Sequence, residues 1–160
     1  MLPYITPGAS VRLSYPHDVP QDLTQKYPEE KYYGLSSYLK SLGKIEEFGE
    51  DYTLLPGHFL TARGRIRWQT PQRARQIISN HIHQSKKILE LISESPIGLY
   101  AIAQHYFHPR IIKERGLERS LASIACQLDF LLECNYLGET EDGMLFNKGV
   151  DNSNLQWAQS

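Results

Sequence analysis

The chain has 160 residues, with 17 Lys and Arg against 18 Asp and Glu, and is 41% hydrophobic, 11% aromatic and 22% charged. That balance excludes a disordered, collagen-like or disulfide-framework chain, and the length allows one domain or two small ones. Mean hydropathy is −0.44, and no apolar run reaches the roughly 18–20 residues a membrane-spanning helix needs, so a membrane role is excluded.

Residues 1–30 carry five of the nine prolines (Pro3, Pro7, Pro16, Pro20, Pro28), a spacing that forbids helix and leaves brief extended pieces. The opening residues lack the basic and apolar regions of a signal peptide. Tyr4, Ile5, Val11, Leu13 and Tyr15 nevertheless want an apolar surface to pack on. Pro28-Glu29-Glu30 then suits a helix start, with proline in the first turn and acids at the positive end of the dipole. Tyr32, Leu35, Leu39, Leu42 and Ile45 recur every three or four positions, which predicts a helix over about 29–48. Asp51 to Pro56 reads as a short buried strand stopped by Pro56-Gly57, and helix followed by strand and glycine turn is an α/β unit.

Phe59 to Gln69 has little apolar content and places Arg63, Arg65 and Arg67 on alternate positions, which reads as a linker. Thr70-Pro71 is an N-cap and first-turn pair for a long helix to about Glu94. Its apolar stripe of Ala74, Ile77, Ile78, Ile82, Leu89 and Ile92 is interrupted at Ser85. Shorter helices follow over 99–107 and 118–134, the second with Leu121, Ile124, Ala125, Leu128 and Leu131 on one side. A hairpin is expected between 135–139 and 144–147, turned by Glu141-Asp142-Gly143. Three helices and then a hairpin is the order of a winged helix-turn-helix. Residues 149–160 are polar and are expected to fray.

Cys126 and Cys134 share one helix about 12 Å apart along its axis, too far to bridge. With no basic neighbour at helical spacing they read as reduced structural thiols of a cytoplasmic protein. His81 and His83 lie two apart on a helix, about 200° around its axis, so both cannot face one ion. His58 follows Leu54-Leu55-Pro56-Gly57, where a strand end and a glycine turn would aim an imidazole at a sheet edge, and it is the candidate metal ligand.

At this point the chain resembles a family. Met1 to Val11 (MLPYITPGASV) is similar to the "LPxITPNVS" segment of metallo-β-lactamase-fold hydrolases in the branch related to glyoxalase II and the lactamase-beta-like endoribonuclease. Tyr38 to Leu42 is similar to the family's "YLxSL" helix and Leu55-Pro56-Gly57-His58 to its "LPGHG" ligand turn. Gln76 to Ile92 and Ser95 to Phe107 resemble the helices that enter the family's winged domain. The resemblance implies an α+β, mainly α chain: residues 1–69 a C-terminal remnant of the catalytic α/β layer, 70–148 a long helix plus winged-helix domain, 149–160 a tail. It implies zinc as cofactor, two ions in an intact site, and hydrolysis of ester, thioester or phosphodiester substrates.

The family's His-x-His-x-Asp-His cluster is absent, and Phe59 stands where the family has glycine. The expected function is therefore that of a C-terminal segment of such a hydrolase, inactive as this isolated chain, whose partner is a missing N-terminal catalytic half, another chain, or a second copy in a homodimer. The alternative is a standalone winged-helix module for nucleic acid or protein. Its candidate contacts are Arg63, Arg65, Arg67, Lys113 and Arg119, with Ser120, Ser123 and Gln127 on the same helix as Arg119. Charge disfavours nucleic acid: residues 1–69 hold eight basic and eight acidic side chains, the remainder nine and ten, and Glu139, Glu141 and Asp142 would repel phosphate at the wing.

Overall fold

A computed structural model of the chain describes residues 34–55, 61–62, 64–66, 68–92, 95–153 and 155. The first helix, α1 (Leu35–Glu46), buries Leu35, Leu39 and Leu42, the stripe expected from the 3.6-residue period. The expected start at residue 29 lies outside the described residues. At the other end, Glu47 N–H donates to Gly43 O and Phe48 N–H to Ile45 O, and Gly49 at φ +78° turns the chain away.

The expected strand over 51–56 is reduced to one antiparallel bridge, in which Leu54 and Gln69 exchange both backbone bonds at 2.7 and 3.0 Å. The stretch read as a linker contains a hairpin instead. Strand β1 (Thr61–Ala62) pairs with β2 (Arg65–Ile66) in the register Thr61↔Ile66 and Ala62↔Arg65. Gly64, at φ +74°, supplies the left-handed residue of the two-residue turn. Arginines on alternate positions hide the period-two pattern that apolar side chains would show, so this stretch carries no hairpin signal in the sequence.

Helix α2 (Gln72–Leu91) starts as expected but caps differently: Pro71 occupies the N-cap position with helical φ and ψ, and the Thr70 carbonyl, not its hydroxyl, accepts from Arg73 N–H at 2.9 Å. It ends at Ile92, whose extended backbone precedes the predicted stop. After it come α3 (Leu99–Tyr106), α4 (Pro109–Arg115) and α5 (Leu117–Glu133). Helix α4 was not expected. Its N-cap is His108, whose Nδ1 accepts from Arg110 N–H at 3.2 Å, with Pro109 pre-set in the first turn. The Arg110–Glu114 ion pair at 2.7 Å adds a small surface contribution. Gly116, at φ +87° and ψ 146°, is at once the C-cap of α4 and the N-cap of α5, so two helices join through a single residue in a glycine-favoured conformation.

The predicted hairpin is present. Strand β3 (Leu137–Glu139) pairs antiparallel with β4 (Leu145–Asn147), and Gly143 at φ +77° lies in the connecting turn. Ile97, just before α3, bridges to Leu145 with two backbone bonds of 2.9 Å, so a third extended segment lies along the hairpin. Asn147 Nδ2 donates to the Leu89 carbonyl at 3.2 Å and ties the hairpin to the end of α2. The tail differs from the expectation of fraying as far as Leu155, which is buried and belongs to the core.

Helix α5 is the centre of the packing: it rests on α1, α2, α3, α4 and β3. Its buried Leu121, Ile124, Leu128, Phe130 and Leu131 meet α1's Leu35 and Leu39, α2's Ile88 and Leu89 and α3's Leu99 and Ile102 in one apolar cluster. No helix among the described residues is long and apolar enough to cross a membrane.

Candidate functional site

Where α2 crosses α5, the apolar cluster is broken by three buried polar side chains, His81, Ser85 and Gln127, exposed to only 4%, 0% and 3%. His81 and Ser85 are four apart on α2 and so share one face. Gln127 takes the facing position on α5, between Ile124 and Leu128. Ser85 Oγ donates to Gln127 Oε1 at 2.6 Å, and Gln127 Nε2 reaches Gln84 Oε1 at 3.2 Å and His81 Nδ1 at 2.9 Å. Because that amide nitrogen can only donate, His81 Nδ1 must be the acceptor, which places the imidazole proton on Nε2. Nε2 is buried and has no hydrogen-bond partner among the described residues. The Tyr38 ring on α1 stands perpendicular to the imidazole with centroids 5.8 Å apart.

Burial pushes the His81 pKa below its ordinary value. The folded state therefore disfavours imidazolium relative to the unfolded chain, and the sign of the linkage follows. The stability tied to neutral His81 is complete above the unfolded pKa of about 6.5 and is lost as pH falls from there toward the lower folded pKa. The melting temperature is expected to drop as pH falls below about 6.5, with a shallower slope in His81→Gln; an unchanged slope in that variant would refute the assignment.

Beside this network lies a cavity of about 80 Å³ lined in part by Gln84, Tyr106, Phe107, Arg115, Ser123 and Gln127. Arg115 is part of its wall, with the guanidinium 5.5 Å from the Phe107 ring centroid. The recess is mostly apolar, with Ile88 and Ile124 also in its wall, and its size falls well short of the several hundred Å³ of a substrate pocket. Ser85 spends its hydroxyl proton on an amide oxygen, with no base to activate it. The arrangement is a structural polar network.

The sequence-predicted residues are placed as follows. His58, Arg63 and Arg67 lie outside the described residues. Arg65 is exposed on β2, Lys113 on α4 and Arg119 on α5; α4 and α5 pack together, whereas β1 and β2 pack chiefly on each other. Ser120 and Gln127, expected to face a ligand alongside Arg119, are buried, the first donating to the Gly116 carbonyl at 3.0 Å and the second held in the network above. Ser123 is half-buried against the cavity. His81 is buried and His83 exposed, so they diverge as their spacing predicts. Cys126 and Cys134 are free thiols, and burial with the nearby Asp129 pushes Cys126 up to about 11, which leaves no thiolate near neutral pH. Among the described residues no three His, Cys, Asp or Glu side chains gather in a way that could hold a metal ion.

No protein-family model matches the sequence, and neither does any curated protein. Among solved structures the chain is similar to a β-lactamase domain protein from Burkholderia ambifaria, at a TM-score of 0.57 and 21% identity over 71% of this chain. The match covers 33% of that protein, so this chain spans about a third of the length of the structure it resembles. A likeness at that identity shows shared fold: the helix-rich α+β architecture is that of part of a β-lactamase domain protein.

Proposed function

We propose that the chain is the C-terminal segment of a metallo-β-lactamase-fold, metal-dependent hydrolase of ester, thioester or phosphodiester substrates, and that it is inactive alone. The observation that carries this reading is the fold shared with one third of a β-lactamase domain protein, taken with the motif resemblance from Met1 through Phe107. The described residues do not fit a dinuclear zinc centre, since no group of three ligands forms among them, and His58 alone cannot impose the geometry such a centre requires.

Residues 70–148 fit a winged helix in this reading: α2, the Ile97 segment, α3, α5 and the β3–β4 hairpin follow one another in that order, with α4 inserted. Its role is packing. Helix α5, which would have to enter a nucleic-acid groove, instead buries nine of its residues in the core and keeps Arg119 as its exposed cation.

Zinc titration of the 160-residue chain by calorimetry, with hydrolysis of nitrophenyl acetate, a thioester and bis-nitrophenyl phosphate followed in parallel, tests the proposal. The expected result is weak zinc binding and no metal-dependent turnover. A micromolar or tighter site that disappears in His58→Ala would overturn the claim that the centre is incomplete. Salt-sensitive RNA or DNA binding, lost when Lys113 and Arg119 are changed to Ala, would favour the nucleic-acid module instead.

A further inference from the structure

The polar cluster at the α2–α5 crossing is wired through one side-chain amide. Gln127 Nε2 is shared between His81 Nδ1 at 2.9 Å and Gln84 Oε1 at 3.2 Å, while Gln127 Oε1 accepts from Ser85 Oγ at 2.6 Å. That pattern requires an unprotonated Nδ1. Once His81 takes up a proton from solvent both ring nitrogens are donors, and the Gln127 N–H would face another N–H. Burial is the influence that acts on the ring among the described residues. Helix α1 offers it the uncharged Tyr38, α5 the uncharged Gln127, and α2 itself Gln84 and Ser85, whereas the Arg73 charge on α2 bears on Tyr38.

The amide can reverse in place. Half a turn about its terminal torsion exchanges Oε1 and Nε2 with almost no change of shape, since the two ends are nearly the same size. Oε1 then accepts from His81 Nδ1–H in a charge-assisted bond, and Nε2 donates to Ser85 Oγ. The serine hydroxyl proton turns to the His81 carbonyl four residues earlier on α2. Gln84 has to reverse as well, because its Oε1 would otherwise meet Gln127 Oε1; its own Nε2 becomes the donor. Gln84 is half-buried and, with Gln127, lines the recess described above.

We propose that Gln127 and Gln84 form a proton-operated relay: protonation of His81 turns Gln127, Gln127 turns Gln84, and the outer end of the Gln84 amide, beside the recess, changes from hydrogen-bond donor to acceptor. The core then holds imidazolium without opening, because each hydrogen bond lost in the reversal is replaced by one of opposite direction. The relay is independent of the hydrolase reading. Nitrogen-15 NMR of the full chain across the titration of His81 tests it. Nuclear Overhauser contacts of the Gln127 NH2 protons are expected to pass from the His81 ring to the Ser85 β-protons, and the Gln84 NH2 signals to move with the same midpoint, while backbone dispersion is retained. In Gln127→Met the His81 midpoint should fall by about one pH unit, because the acceptor for the imidazolium is gone.

A fixed amide predicts the opposite sign: it only donates to Nδ1 and so favours the neutral ring, and its removal would raise the midpoint. A midpoint that fails to fall in Gln127→Met overturns the proposal. Gln127 NH2 contacts that stay with the imidazole after it is protonated overturn it equally, as does loss of backbone dispersion before His81 titrates. Both of these are read on the unaltered chain and decide the matter even where Gln127→Met does not fold.

Discussion

Replacing Phe130 with alanine is expected to destabilise the chain by about 3–5 kcal/mol, the range for removing a fully buried aromatic side chain. Phe130 is 1% exposed and lies on α5, which among the described residues is the one helix that packs on every other described helix and on β3. A void opened there cannot close by the shift of one neighbour, because moving α5 toward any partner draws it away from the rest; the lost contacts stay lost. For a chain of this length the expected fall in melting temperature is roughly 10–15 °C. Ile111→Ala on α4, where the side chain is 36% exposed and outside the core, should change stability by no more than about 0.5 kcal/mol. Urea unfolding of the two variants decides the matter. Similar losses in both would mean that α5 is not the centre of the core.

The same packing explains which parts of the fold were legible in the sequence. Leu35, Leu39 and Leu42 on α1, Ala74 and Ile78 on α2 and Leu121 to Leu131 on α5 recur at helical spacing because one face of each helix meets the core, so the stripes announced both the helices and their buried sides. Asp142-Gly143 announced the β3–β4 turn for a comparable local reason. The parts that stayed hidden depend on groups distant in sequence, or on caps outside the common set. Helix α4 starts from a histidine side chain where Ser, Thr, Asp or Asn would have signalled it. Leu155 looks like one of a few scattered apolar residues in a largely polar tail, and only the surface prepared by the rest of the chain makes it part of the core.

The buried polar cluster was half visible. Ser85 showed as an interruption of the α2 stripe, and Gln127 stood on the apolar side of α5 between Ile124 and Leu128. Either one reads as a surface residue, because periodicity along one helix carries no information about a polar group on another. Their pairing, across 42 residues of sequence, follows from the crossing of α2 over α5.

That pairing leads to the second large effect, expected in Gln127→Met. The substitution nearly preserves volume, so little of its cost comes from a cavity. It removes the donor to His81 Nδ1 and the acceptor for Ser85 Oγ at once, leaving two buried polar groups without their partner. Each costs about 1–3 kcal/mol when stranded, so the single variant should lose about 2–6 kcal/mol. Ser85→Ala alone frees only one acceptor lone pair on an amide that keeps its other bonds, and should lose about 1 kcal/mol. In Gln127→Met with Ser85→Ala the hydroxyl is no longer stranded, so the double variant should be more stable than the sum of the two losses predicts, by about 1–2 kcal/mol. Urea unfolding of the four proteins closes the cycle. Losses that add to within about 0.5 kcal/mol would show that the serine and glutamine side chains merely lie side by side, and that the stability of the α2–α5 crossing comes from its apolar neighbours alone.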